Sequence, residues 1–547
     1  MTTEKAVPWE KMNRREFLAL SALGAVPCIL TACVSDSPSS VTATPSPVHA
    51  TPSPAQPTPS PTKPPPLTDA DWATLARNLQ GTLVRPDNPQ YSIAYQLYDP
   101  RFDYIKPAAV AYCASPADVQ MCLAFVNRFG LPLAPRGGGH SYAGYSTTTG
   151  LVVDVTRMSK VMVDTGVGIA TVGAGARLID VYAALAQYGM VLPAGSCPTV
   201  GIAGLTMGGG IGVLDRKFGL TCDNLLAAQV VTADGRVLNC DTTHEPDLFW
   251  ALRGGGGGNF GVVTSFTFQA HPVSTLSIFT LNWPWSSAAD MVDAWQNWAP
   301  QAPDELWSNC LLLGTGDKSS SPTARVNGVY VGPVASLNSL LQQLTSRMSV
   351  APYSRFVSEE SILDTMLIEA GCYGKTVGEC HLPSQNPQGQ QGRSTYSAKS
   401  DFFTSLLPRQ GIDTLLNGIN RRQASPLLFG GGILLDASGG AINRVAANAT
   451  AFAHRDALFS AQYLAPWNDS ASNAIVSANF AWLADTWQAM RPYASGAAYQ
   501  NYIDPNLANW QSAYYGANLS RLQSVKSMYD PGNLFRFAQS IPTTHGA

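Results

Sequence analysis

Ala134-Pro-Arg136-Gly137-Gly138-Gly139-His140-Ser141-Tyr142-Ala-Gly-Tyr-Ser146 places three consecutive glycines between an arginine and a histidine. Without Cβ atoms, successive N–H groups can turn into one concavity and the backbone can approach phosphate oxygens closely. Arg136 has two readings: a charge for such a phosphate, or the partner of a carboxylate within the fold. His140 directly follows the loop and would face the group it holds. A second glycine-rich stretch runs Gly195-Ser-Cys197-Pro-Thr-Val200-Gly201-Ile-Ala-Gly204 and on into Met207-Gly208-Gly209-Gly210-Ile-Gly212. Taken alone, Cys197 reads as a buried structural thiol, because free Cys is among the most buried residue types.

Around these loops, short β-rich runs alternate with short helices between Pro107 and Pro272. Ala108–Cys113, Leu151–Val155 and Ile169–Val172 read as strands. Ser115-Pro116 caps a helix that stops at Gly130. Ala176–Tyr188 carries Leu178, Val181, Tyr182 and Leu185 on one helical face. The pattern is α+β rather than a regular βαβ array. Gly256-x-Gly258-x-x-Gly261 fits the dinucleotide expression G-x-G-x-x-G, but Val262–Phe268 after it reads as a strand, and no acid appears before Asp290. A Rossmann site needs a helix there and an acid about 20 residues on, so that reading fails. From Val273 to about Ser495, runs such as Leu276–Trp283, Leu306–Leu313, Arg325–Val331, Leu427–Leu435 and Leu458–Trp467 alternate with helices such as Ala335–Met348 and Asn473–Tyr493. They predict an antiparallel sheet with helices on one face, with Tyr396, Lys399 and Trp467 on candidate strands.

Apolar content of 45% is ample for a core, and a net charge of −3 offers no basic surface of the kind nucleic-acid binding needs. Asn13-Arg14-Arg15-Glu-Phe17-Leu18 followed by the apolar run to Leu30 reads as a twin-arginine signal, and Leu30-Thr-Ala-Cys33 as a lipobox. Plain cleavage near Ala32 is the alternative to a lipid on Cys33. Val34–Pro66 is mostly Pro, Ser, Thr and Ala, an extended tether. Thr68-Asp-Ala-Asp-Trp72 then caps a helix running to Gly81. The expected divisions are therefore 1–33, 34–67, 68–272, 273–495 and 496–547. Cysteines 113, 122, 222, 240, 310, 372 and 380 contain no Cys-x-x-Cys pair, which argues against a metal site. Export permits disulfides, and Cys372–Cys380 is the favoured pair.

Three blocks, 134–156, 195–268 and 497–541, together resemble the berberine bridge enzyme-like family of FAD-linked oxidases. The last contains Tyr499-Gln-Asn501-Tyr502-Ile-Asp504, then Tyr514-Tyr-Gly-Ala-Asn518 and Asp530-Pro-Gly-Asn533, the latter reading as a structural turn. The resemblance implies a two-part FAD-binding domain of the PCMH, vanillyl-alcohol oxidase-like type, a substrate domain, and a C-terminal segment that returns to the flavin. It implies FAD bound covalently through His140 at the 8α-methyl and Cys197 at C6. Arg136, the glycines at 137–139, 201, 204, 208–210, 212 and 258, and Ser141, Val200 and Val262 would surround the cofactor. It further implies hydride transfer from an alcohol or a reducing-end sugar to flavin N5, and Tyr499 of the Tyr-x-Asn element, with Asn501, reaching the substrate. Tyr142 is a supporting contact, and Lys399 or a relay through Asp504 would lower the phenol's pKa from near 10. Valine at position 200 favours dioxygen as acceptor, with peroxide as product. A dehydrogenase of aromatic alcohols feeding a quinone, and an inactive lipid-anchored binding protein, are the alternatives.

Overall fold

The computed structural model describes residues 64–544; the signal, with Cys28 and Cys33, and most of the tether lie outside the described residues. The first helix, Asp69–Asn78, begins as its sequence predicts. The Thr68 side chain accepts the Asp71 N–H, and Asp71 accepts the Thr68 N–H, a reciprocal capping box.

Strands β1 (Thr82–Val84), β2 (Ala109–Tyr112), β3 (Leu133–Arg136) and β4 (Leu151–Asp154) form one sheet in the order β1-β2-β4-β3. β4 runs parallel to both β2 and β3. Parallel strands need a crossover, and α1 (Pro116–Phe129) supplies it. Ser115 caps its start, and Gly130, at φ 64°, ends it. A second sheet, all antiparallel, comprises β5 (Val161–Asp164), β6 (Ile169–Gly173), β7 (Leu225–Val231), β8 (Val237–Cys240) and β9 (Val262–Gln269), in the order β5-β6-β9-β7-β8. Helix α2 (Leu178–Ala186) follows β6 and buries Leu178, Val181, Tyr182 and Leu185, the face its periodicity predicts.

The second half is a seven-stranded antiparallel sheet: β10 (Leu276–Trp283), β11 (Leu306–Leu313), β12 (Thr323–Val331), β13 (Ser354–Glu360), β14 (Thr395–Phe403), β15 (Gly432–Ala437) and β16 (Phe459–Trp467), ordered β13-β10-β12-β11-β15-β16-β14. Side chains alternate across a pleat. Ile433, Leu435, Phe459, Ala461 and Tyr463 therefore share one core with α3 (Ala288–Trp298), α4 (Arg409–Ala424) and α5 (Asn473–Met490). Their neighbours Asp436, Ser460 and Gln462 project from the opposite face, toward the first half. The fold is α+β.

Two sequence expectations shift. The strand expected over Leu427–Leu435 begins only at Gly432, because Gly430 and Gly431 sit at φ 54° and 65°, where a pleat cannot continue. The edge strand β13 carries Ser, Arg and Glu and gives no apolar alternation to read. Cys372 and Cys380 form the expected disulfide, both fully buried. The tail returns along β14: the Phe402 N–H donates to Ala497 O and the Tyr499 N–H to Ser400 Oγ. The helix Leu519–Tyr529 then docks on the first half, where Lys526 pairs with Asp530 at 2.7 Å and donates to the Asn259 and Phe535 carbonyls. Asp530–Asn533 is a turn, closed by the Asn533 N–H on Asp530 O.

Candidate active site

The two glycine loops meet backbone to backbone. A Cβ on Gly138 would overlap the Gly201 main chain, and one on Gly201 would overlap Gly138. This approach sets His140 Nε2 2.9 Å from Thr199 Oγ1. Tyr98 stacks on the imidazole at 4.0 Å, and its N–H donates to Gly139 O. Burial, reinforced by the nearby Arg177 guanidinium, holds the His140 pKa down at about 3, so the ring is neutral and nucleophilic. Arg177 also donates to Gly137 O at 2.8 Å, a contact that nothing in the sequence marks.

Cys197 is the exposed free cysteine among the described residues; the other free thiols are buried. Surrounding protein nonetheless pushes its pKa up, as expected for a thiol opening into a groove rather than onto a convex surface. Tyr98, Tyr142, Tyr396 and Tyr502 line that groove. Burial raises all four phenols, and a charge on Cys197 raises them further. Tyr142 stacks on Tyr502 at 5.3 Å and meets Tyr396 edge-on at 4.9 Å. Gln462 Nε2 donates to the Tyr142 hydroxyl at 2.9 Å.

Gln462 comes from the sheet face turned away from the helices, and a polar row crosses that face one register step along. Thr280, Asn327, Asn309, Asp436 and Ser460 lie directly opposite one another on five adjacent strands. Asn309 Oδ1 and Asn327 Oδ1 are buried without a hydrogen-bond partner. Burial lifts Asp436 to about 6, against a hydrogen bond from Asn309 that draws it down. Glu369 rises to about 7 through burial and the neighbouring Asp436 charge. Asp436 and Gln462 have no local motif; only the strand register brings them here.

Several sequence-predicted residues sit elsewhere. Tyr499 is 2% exposed, packed among Phe402, Phe452 and Leu220. Its hydroxyl accepts the Gly210 and Ile211 N–H groups at 3.0 and 3.1 Å and Asn501 Nδ2 at 2.9 Å. Those donors favour phenolate, yet burial prevails and the pKa stands at about 12. Tyr499 therefore faces the core, and the tyrosine on the groove is Tyr502, three residues on. Lys399 is also displaced: it lies on the opposite pleat from Tyr396, ion-paired with Asp504 and 4.6 Å over the Trp487 ring. Arg136 takes the structural alternative, paired with Asp154 at 2.5 Å and bonded to Ala94 O.

Of the glycines, Gly204 is exposed, and a Cβ there would meet nothing within 4 Å; Gly137 and Gly138 are half-buried. Gly208, Gly209 and Gly210 instead seat Asn501, Phe452 and Thr221, and Gly212 packs on Ala194 O. Gly258 touches Phe537, and Val262 is a core side chain whose backbone alone can approach a ligand. Ser141 Oγ accepts the Tyr145 N–H, and the half-buried Val200 accepts the Leu178 N–H on its carbonyl. This set fits a flavin: an open glycine-backed loop for a pyrophosphate, with a neutral imidazole and a thiol converging beside an aromatic groove. On this geometry Tyr499→Phe is expected to lower thermal stability, by about 1–3 kcal/mol for each donor left unsatisfied, with turnover of the flavin-loaded enzyme largely kept. A fall of about 10²-fold or more at unchanged stability would return Tyr499 to the substrate.

Sequence models of known families match two parts of the chain: FAD binding domain over residues 107–241, and berberine and berberine like over 498–542. The FAD-linked oxidoreductase YgaK of Bacillus subtilis is 35% identical over 472 residues, spanning 85% of this chain and 97% of that protein. The structure of Physcomitrella patens BBE-like 1 superposes with a TM-score of 0.78 at 32% identity, covering 86% of this chain and 99% of that one. The xylooligosaccharide oxidase of Myceliophthora thermophila C1, solved with xylobiose, gives 0.76 at 27% identity, covering 86% and 99%. A PCMH-type FAD domain, a seven-stranded antiparallel sheet and a returning C-terminal segment are thus joined in one chain, which belongs to the berberine bridge enzyme-like family of FAD-linked oxidoreductases.

Proposed function

We propose that this enzyme oxidises a hydroxyl of a small polyhydroxylated substrate, foremost the reducing end of a sugar, and passes the electrons to dioxygen with release of hydrogen peroxide. Bound FAD supplies the two-electron acceptor for the substrate's carbon-bound hydrogen. The carrying observation is the polar row Thr280–Asn327–Asn309–Asp436–Ser460, whose unsatisfied asparagine oxygens suit hydroxyl donors. The kinship with an oxidase that holds xylobiose supports the same substrate class.

His140, through Nδ1, and Cys197, through Sγ, each carry a covalent bond to the flavin in this reading. Tyr98 and Thr199 orient the imidazole, and the Cys197 thiol stands free in the groove. Tyr142 and Tyr502 form a stacking platform, with Gln462 fixing the Tyr142 hydroxyl. Asp436, with a pKa of about 6, is mostly ionised at neutral pH and takes the substrate hydroxyl proton, with Tyr502 beside it. Valine at position 200 supports dioxygen as the acceptor. The twin-arginine and lipobox motifs support export and a lipid tether on Cys33 at the outer face of the cytoplasmic membrane.

The test is anaerobic bleaching of the flavin absorbance with xylo-, cello-, malto- and chito-oligosaccharides and aromatic alcohols, followed by air. Bleaching by a sugar series with rapid recovery and peroxide is expected. Bleaching by aromatic alcohols alone, or recovery that needs a quinone, would replace this reading with an alcohol dehydrogenase. Acid-precipitated protein should stay yellow and yield one flavin cross-linked to two peptides, one containing His140 and the other Cys197; a colourless precipitate would sink the covalent attachment.

A further inference from the structure

One segment of the substrate domain, residues 372–394, touches the supports of both attachment residues. At its start, Cys372 and Cys380 close a loop that packs on Ile179 of α2. The adjoining His381 holds Asp180 of α2 at 3.1 Å through Nε2, with Nδ1 on Val377 O. Helix α2 in turn carries the cysteine loop. The Leu178 and Ile179 N–H groups donate to Val200 and Pro198 carbonyls, and the Tyr182 hydroxyl donates to Gly195 O. At the segment's end, Arg393 Nε donates to Leu97 O at 2.7 Å, and its guanidinium grips both Asp103 oxygens. The Ser394 N–H donates to Tyr98 O, while the opposite edge of Tyr98 donates to Gly139 and its ring stacks on His140. The segment is braced internally by Gln391, whose N–H reaches His381 O and whose Nε2 reaches Cys372 Sγ.

We propose that residues 372–394 act as a strap with two arms that set the flavin tethers: the disulfide–His381 arm chiefly positions Cys197, and the Arg393–Ser394 arm chiefly positions His140. The inference rests on the doubly tethered flavin proposed above. Each tether exchanges a hydrogen on the isoalloxazine for a bond to protein. His140 gives up its N–H proton for a C–N bond, and Cys197 its S–H proton for a C–S bond. The displaced carbon-bound hydrogen leaves with its two electrons, both finally taken by dioxygen, which is reduced to hydrogen peroxide. Such bond formation is sensitive to displacements of about 1 Å, which can cost about 10²-fold in rate. His381 and Arg393 are positioning residues, since neither touches the reacting atoms.

The experiment loads FAD into full-length wild type, His381→Ala and Arg393→Ala, then follows the His140 and Cys197 flavin peptides by mass spectrometry over time, with melting temperature recorded alongside. His381→Ala should slow the Cys197 bond at least about tenfold and the His140 bond much less; Arg393→Ala should do the reverse. His381→Gln and Arg393→Lys provide the same comparison if the alanine variants do not fold. Wild-type rates for both bonds in these variants, or equal loss of both in each, would overturn the two-armed strap. A wild-type enzyme lacking either bond would instead overturn the double tether itself.

Discussion

Replacing Asp436 with Asn is expected to slow substrate oxidation about 10²–10⁴-fold, the usual worth of a positioned general base, with FAD content unchanged. Asp436 enters from β15 on the face away from the helices, hydrogen-bonded by Asn309 and close enough to Tyr502 to raise its phenol. Its pKa of about 6 sets the sign of the pH dependence. Below 6 the carboxyl is protonated and cannot accept the substrate proton, so the bleaching rate should climb through about pH 6 and level off above it. Asp436→Asn should abolish that limb as well as the rate. Stability should move the other way. Because burial raises this carboxyl above its unfolded value of 3.8, its stabilising protonated form is lost as pH rises toward 6, and the ionised group opposes folding at neutral pH. The Asn variant should therefore melt at or above the wild-type temperature at pH 7.5. Retained turnover with an intact pH limb would transfer the base role to another group, Glu369 first.

Gly138→Ala is expected to give protein nearly free of flavin. The added methyl would overlap the Gly201 main chain, so the loops must part, at about 1–3 kcal/mol for overpacking. The larger consequence is geometric, because the contact of His140 with Thr199 depends on that closeness. A 1 Å displacement is enough to cost about 10²-fold in the bond formation proposed for His140. Gly204→Ala supplies the control: a Cβ there meets no protein atom within 4 Å, so the fold should persist and any loss would report on the cofactor. Absorbance near the flavin band per folded chain checks both; a yellow Gly138→Ala enzyme with both tethers would show that the loops need no such contact.

What the sequence made legible was local. Gly137–Gly139 and Cys197 announce themselves by composition and order, and Ser115, Gly130 and Thr68 mark helix ends because capping is a near-neighbour effect. The antiparallel sheet followed from apolar runs of strand length, whereas its polar row did not. Thr280, Asn327, Asn309, Asp436 and Ser460 become neighbours only through the register of five strands drawn from across the second half of the chain. The placement of Lys399 illustrates the same limit, since one residue of pleat phase decides which face a side chain joins. Tyr499 and Tyr502 lie three apart in one motif, and only the packing of Phe402 and Phe452 shows which is enclosed. Arg136 could have paired either way, and Asp154 on the neighbouring strand took it.

The core-facing Tyr499 has a consequence for the order of assembly. Its hydroxyl closes the Gly210–Ile211 backbone, Asn501 secures Leu205 O, and Gln500 secures Gly254 O, so loops from the first half find their partners 246 to 296 residues later. During synthesis those amides face solvent until residues 499–501 emerge. A nascent chain that has not yet reached these residues thus has its glycine loops and lacks the piece that fixes them, and a stable seat for FAD waits on residues 499–501.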